Sequence, residues 1–343
     1  MSMLRQEQAP AGGGPAGMRE VTFGQAIREA LAEEMRRDPR VFIVGEDVAE
    51  AGTVFKVLSG LVDEFGRERV IDSPISEAGI TGIGVGAAMT GMRPVIDIMF
   101  GDFLTLAMDQ IANQAAKVHY MSGGKLRAPL VVRTTMGATR RSAAQHSQSL
   151  YAWVAHVPGL KVALPSTPAD AKGLLKTAIR DDNPVVFFED KMMYSLRGPV
   201  PDGDHTVPFG VADIKRPGTD VTIVATSSMV HTALQAARLL EEDGISAEIV
   251  DPRTLLPLDG ETIIASVRKT GRAIVVDEGY QQYGVTAEIA SLIADGAFDY
   301  LDAPVKRLGA MNVPVPFSPV LEDLTVPTPE AVAALAKALC GQG

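Results

Sequence analysis

The sequence is short of cysteine, of aromatic side chains and of positive charge. A single cysteine, Cys340, excludes an intramolecular disulfide and a cysteine metal cluster. Lys and Arg number 32 against 42 Asp and Glu, a formal charge of −10. A nucleic-acid backbone asks for a basic surface, so nucleic acid is not an expected partner. No run approaches the roughly 18 continuous apolar residues of a membrane span. The opening MSMLRQEQAPAGGGPAGM lacks the apolar core of a secretion signal, and its Gly, Pro and Gln content predicts a disordered tail over residues 1–17. Together these absences imply a soluble cytoplasmic protein. The five histidines, His119, His146, His156, His205 and His231, show no H-E-x-x-H or other metal spacing. No G-x-S-x-G nucleophile elbow occurs.

What is present is a globular composition: 46% hydrophobic and 22% charged residues over a 343-residue chain, enough for two domains. Short apolar runs alternate with helical periods. VFIV (41–44), RVID (69–72), PVIDIMF (94–100), PLVVRT (129–134), LKVALP (160–165) and PVVFFE (184–189) read as strands. Helices are expected at 23–38 behind a Thr22/Gln25 capping box, at 56–66, 76–91, 103–121 and from Thr167. Residues 196–209, LRGPVPDGDHTVPF, hold three prolines and two glycines and read as a linker. Beyond it the alternation resumes, with strands at 221–226, 245–250 and 273–278 and helices near 228–243, 259–269 and 285–296. Such alternation predicts an α/β fold of two parallel-sheet domains, 18–205 and 206–343.

Residues 72–91, DSPISEAGITGIGVGAAMTG, pose the sharpest question. Glu77 has no Lys or Arg within helical reach, and a buried unpaired carboxylate is expensive. It is either a helix-start carboxylate favoured by the dipole or a buried acid whose pKa is raised by desolvation. The five glycines that follow fail the G-x-G-x-x-G pattern, because Ala87 and Met89 stand where glycine is needed. They read instead as a helix face that lets something pack closely. His146, in AAQHSQS (143–149), lies in a loop after a strand of a parallel sheet, where α/β proteins bind ligands; a surface histidine is the alternative. AIRDDNP (178–184) is a plain helix–strand turn or a small-cation site of turning carbonyls plus Asp181.

GEDV (45–48), the segment around Glu77 through RPV, YMSGG (120–124), AAQHSQS, PGLKV (158–162), AIRDDNPVV, LDAPVKRLG (301–309) and VPVPFSPVLED (313–323) fall in order. In that order they resemble the beta subunit of the thiamine-diphosphate-dependent decarboxylating component of 2-oxo acid dehydrogenase complexes. That family includes pyruvate, branched-chain and acetoin enzymes, and the resemblance runs from about residue 20 onward. It implies a transketolase-like pyrimidine-binding domain followed by a transketolase C-terminal-type domain. It implies an α2β2 heterotetramer that serves a lipoyl acyltransferase core. It also implies that Mg²⁺ and the diphosphate of the cofactor are held by the alpha subunit, whose Gly-Asp-Gly motif is missing here.

By resemblance, Glu77 is the cofactor-activating glutamate. It shares a proton with a pyrimidine nitrogen and favours the imino tautomer that deprotonates the thiazolium carbon. Ile75, Met99 and Phe103 line the aminopyrimidine. His146 is the histidine at the substrate and lipoyl end. A potassium site falls on Leu130, Ala178, Ile179, Asp181 and Asn183, with Asp182 where some members have Asn. VRTTMG (132–137), LPSTPADAKGLL (164–175) and FEDKMMY (188–194) look closest to acetoin-cleaving members, with pyruvate a near competitor. A single-chain synthase of the transketolase type, a non-catalytic scaffold subunit and a nicotinamide-dependent oxidoreductase are the rival readings.

Overall fold

The computed structural model describes residues 17–341; the tail expected over 1–17 lies, but for Gly17, outside the described residues. Two sheets organise the chain. The first has seven strands, in spatial order Thr254–Leu256, Lys161–Ala163, Val185–Asp190, Val131–Met136, Arg93–Ile98, Val41–Gly45 and Val70–Asp72. All its pairs are parallel except the one made by the edge strand Thr254–Leu256. The second orders Lys306–Ala310, Ala273–Tyr280, Val221–Ala225, Ala247–Asp251 and Asp213–Arg216, again parallel but for the last edge.

The central strands are continuous Val/Ile runs because both faces are covered. Successive side chains point to opposite faces. Ile43 and Val95 thus pack with Ile27, Leu31 and Leu174 on one side, while Val44 and Ile96 pack with Ile80, Leu104 and Ile111 on the other. Each fully buried side chain of this kind contributes roughly 1.5–3 kcal/mol. The helix Phe23–Arg37 starts on the expected capping box, with the Thr22 hydroxyl accepting from the Gln25 N–H at 3.1 Å and the Gln25 side chain accepting from the Thr22 N–H at 2.8 Å. No helix among the described residues is long and apolar enough to cross a membrane.

Several expectations are corrected. The helix expected over 56–66 is reduced to Leu61–Phe65, because Gly60 precedes it in a left-handed conformation at φ 86°. The long helix expected over 103–121 is a 3₁₀ turn, Gly101–Phe103, then Leu104–Met108, a π-helical segment Asp109–Ala115, and Val118–Met121. Such π turns are rare and frequent near functional sites. The expected linker contains a strand, Arg197–Pro201, paired antiparallel with Met18–Thr22. In a two-stranded ribbon each strand has a free edge, so Pro199 and Pro201 are tolerated there. The helices Tyr151–Ala155 and Pro329–Leu339 and the edge strands Asp213–Arg216 and Thr254–Leu256 were not anticipated. The last of these is supplied from beyond the linker and covers the edge of the first sheet. The two halves are therefore joined by shared sheet structure as well as by the connecting chain.

Candidate active site

Strands Val41–Gly45, Val70–Asp72 and Arg93–Ile98 end side by side, with Gly45 opposite both Asp72 and Asp97. A Cβ on Gly45 would meet the Asp97 Cβ and carbonyl oxygen at 2.7 Å, so only glycine fits there. The chain leaves this edge through Glu46 on one strand and reaches Glu77 a few residues past the neighbouring one. Glu77 opens the helix Glu77–Met89, and Ser76 before it makes no side-chain cap. Glu77 is 7% exposed, and among the described residues its carboxylate has no ion pair or hydrogen-bond donor.

Near enough to feel its charge is Glu46, which the sequence alone does not single out. Its Oε1 is buried without a partner. Burial raises the Glu46 pKa, and the negative charge of Glu77 raises it further, against a smaller opposing pull from the Ser76 N–H. Two carboxylates near enough to interact, one Glu46 oxygen orphaned, form a site that wants a hydrogen-bonding ligand.

The glycines of the same helix divide by face. A Cβ on Gly84 would lie 2.4 Å from the Ile96 Cδ1, so this glycine does serve close packing on the sheet. Gly86 has nothing within 4 Å of its added Cβ, and Gly79 and Ile83 are exposed.

The second part of the site grows from the next strands. Arg93–Ile98 leads into Phe100 and Phe103, and Val131–Met136 leads into the loop that carries His146. The His146 ring stands edge-on to Phe100 at 4.7 Å and to Phe103 at 5.3 Å between ring centres. Lys191, fully buried, donates its Nζ to the His146 carbonyl. Burial pulls the Lys191 pKa down, opposed by Asp190 and Glu278. Asp102 Oδ1 accepts from the Gln148 Nε2 at 2.9 Å, and the Ser149 hydroxyl donates to Glu278 Oε1 at 2.6 Å. Met99 is half-buried, its carbonyl accepting from the Thr135 hydroxyl at 2.7 Å. The structure thus brings Phe103 and His146 together. It leaves Ile75 81% exposed, a face the described residues do not cover.

Beneath both parts lies a buried ion triad. Arg133 pairs with Asp97 on one side and with Glu189 at 2.6 Å on the other, and Tyr194 donates to Glu189 at 2.7 Å. Burial opposes the Arg133 charge, but the two carboxylates outweigh it and hold its pKa well above the ordinary value.

The residues expected to bind potassium gather at one turn. Arg93 already donates to the carbonyls of Ile179 and Asp181, each at 2.9 Å. The Leu130 carbonyl accepts from Val185 at 3.0 Å and that of Ala178 from Asp181 at 3.3 Å. The Asp181 carboxylate is paired with Lys161 and accepts from the Asn183 N–H and side-chain amide, both at 2.8 Å. Asp182 points outward to Arg93 and Arg127. A larger groove, ≈ 960 Å³, lies elsewhere, between Trp153, Leu255, Tyr283 and Leu292, and contains none of these groups.

Comparison with known proteins places this arrangement. The transketolase pyrimidine-binding domain matches residues 19–197, and the transketolase C-terminal domain matches residues 210–332. A solved structure described as a split-gene transketolase, an inactive beta4 tetramer, shares the fold with a TM-score of 0.76 at 23% identity, over 94% of this chain and 99% of that one. Fold and domain content define a two-domain protein of the transketolase type. The acetoin:2,6-dichlorophenolindophenol oxidoreductase subunit beta of Bacillus subtilis (strain 168) is 51% identical over 336 residues, 94% of this chain and 98% of the relative. The pyruvate dehydrogenase E1 component subunit beta of Rhizobium meliloti (strain 1021) is 50% identical over 329 residues, 95% of this chain and 72% of the relative. The chain belongs to this family of dehydrogenase beta subunits.

Replacing Arg133 by Met should cost about 3–5 kcal/mol, because Asp97 and Glu189 lose their shared counter-charge in the interior. Urea unfolding at neutral pH measures it, and an unchanged midpoint would show that the triad contributes nothing to stability.

Proposed function

We propose that this chain supplies the aminopyrimidine half of a thiamine diphosphate site, and that an alpha chain supplies the half that holds Mg²⁺ and the diphosphate in an α2β2 assembly. The observation that carries the reading is the neighbouring pair Glu46 and Glu77, with the buried orphan oxygen of Glu46, at the C-terminal edge of a parallel sheet. An aminopyrimidine presents ring nitrogens and an amino group, which suit such a pair. When bound, the cofactor supplies the electron sink for cleaving the bond beside a carbonyl. Glu77 holds a proton at a ring nitrogen, in a setting where the described residues place no basic side chain to neutralise it. Phe103 and Met99 would flank the ring, and Ile75 would join them once the alpha chain covers its exposed face. His146, fixed between Phe100 and Phe103, moves a proton at the acyl-acceptor end, where lipoamide of an acyltransferase core is the acceptor.

The substrate class is a short 2-oxo acid or acetoin, and the segments 132–137, 164–175 and 188–194 favour acetoin. The location is the cytoplasm, and the domain division falls at 205/206. A potassium ion at Leu130, Ala178, Ile179, Asp181 and Asn183 would share carbonyls with Arg93, since each carbonyl oxygen has two lone pairs. Exchanging potassium for tetramethylammonium should then lower the melting temperature; an unchanged value would leave Arg93, Lys161 and Arg127 as the cations that serve that turn.

Mixed with its alpha chain, thiamine diphosphate and Mg²⁺, the chain should turn over pyruvate or acetoin, while alone it should be inactive. Glu77→Gln should lower the rate by at least about 100-fold with the fold retained, the usual scale for losing a proton-transfer group. His146→Ala should slow lipoyl acylation more than decarboxylation. Near-normal turnover with Glu77→Gln, or full turnover by this chain alone, would return the protein to the scaffold or single-chain readings.

A further inference from the structure

The loop that carries His146 is held in a conformation its own residues disfavour. After Gly137 at φ 100°, three non-glycine residues take positive φ: Thr139 at 67°, Arg141 at 60° and Ala143 at 59°. Left-handed backbone is uncommon outside glycine, and for a β-branched residue such as Thr139 it is a real outlier. A segment of this kind persists only where its surroundings over-determine it.

The holder comes from the far end of the chain. Glu322, on the turn Pro319–Glu322, is fully buried. Its Oε1 accepts the Thr139 N–H at 2.8 Å, and its Oε2 accepts the Arg141 N–H at 3.2 Å and the Arg141 Nη1 at 2.7 Å. One carboxylate therefore receives the backbone N–H of two of the three strained residues. Glu322 is itself fixed, its carbonyl accepting from the Thr325 N–H at 2.9 Å and hydroxyl at 2.7 Å. From Arg141 the loop runs on to Ala143, whose carbonyl accepts the His146 N–H at 3.4 Å. On its far side the loop is tied by Lys191 to the His146 carbonyl and by Glu278 to Ser149. His146 lies between two anchorages, and the forward one depends on Glu322.

We propose that Glu322 is a positioning residue for His146: its carboxylate clasps the strained backbone of residues 139–141 and so sets where the imidazole stands. The functional part of the inference rests on the acyl-transfer role assigned to His146; the clasp does not. Charge-assisted hydrogen bonds to backbone N–H groups are the strong class, so their loss should be visible locally.

The test uses the reconstituted α2β2 assembly with Glu322→Gln and, separately, Arg141→Met. Hydrogen exchange is followed in the peptide spanning 137–149 and in the strand Ala273–Tyr280, alongside lipoyl acylation and dye-coupled substrate oxidation. Glu322→Gln should speed exchange in 137–149 by about tenfold or more, as the loss of charged hydrogen bonds predicts, and leave 273–280 protected. It should lower the lipoyl acylation rate with the KM for the small substrate unchanged. Arg141→Met removes only side-chain contacts, to Glu322, Asp323 and the Pro319 carbonyl, keeps both backbone bonds to Glu322, and should leave the loop nearly as protected as in the wild type.

Unchanged exchange in Glu322→Gln would overturn the proposal. So would an equal rise in both peptides, or an equal loosening by Arg141→Met. A loosened loop with undiminished lipoyl acylation would support the clasp and count against the role given to His146.

Discussion

Arg133 is buried at the centre of the first sheet, with a carboxylate from the strand on either side. Asp97 lies on one neighbouring strand and Glu189 on the other. Desolvating three charges consumes most of what their attraction returns, so the triad adds little net stability over an apolar trio. What it adds is register. A one-residue slip of any of the three strands would carry one member to the opposite face and leave a lone charge in the interior. The ends of these strands are therefore fixed relative to one another. From those ends spring Phe100, Phe103 and the loop of His146.

Against that compensated set, the other buried carboxylates become informative. Among the described residues Glu46 and Glu77 have no cation, and the Glu77 charge makes that of Glu46 costlier. A folded chain tolerates such a pair when a ligand is to complete it. Glu278 is a third case. Burial, with Asp190 beside it, pushes its pKa well above the carboxylate range, and Ser149 and Ser228 supply its hydrogen bonds. It acts on the His146 loop from the second sheet, as Glu322 does from the C-terminal turn. Three carboxylate environments thus have three uses: paired charge for register, orphaned charge for a ligand, and shared protons or backbone bonds for placing a loop.

Much of the fold was legible because the strands are doubly buried. VFIV, PLVVRT and PVVFFE are continuous apolar runs that a parallel sheet requires, and the Thr22/Gln25 box marks its helix without tertiary help. The irregular parts were not legible. Nothing in DQIANQA announces a π-helical segment, and the strand Arg197–Pro201 is hidden by its prolines. In the site, Glu77 stood out by the absence of a local partner, and His146 by its place after a strand. Glu46 could have been found, since it follows the strand-ending Gly45 at the ligand-binding edge. Lys191, Glu278 and Glu322 could not. They reach the histidine loop across 45 to more than 180 residues of sequence, and no local period encodes such a contact.

The central claim is that the acid pair Glu46 and Glu77 is half of a site that a second chain completes. Calorimetric titration of thiamine diphosphate with Mg²⁺ tests this most directly, into this chain alone and into the chain assembled with its alpha partner. The account predicts saturable binding to the assembly and none to the chain alone at the same concentrations. Equal affinity in both would contradict it, because the chain would then carry a whole site by itself.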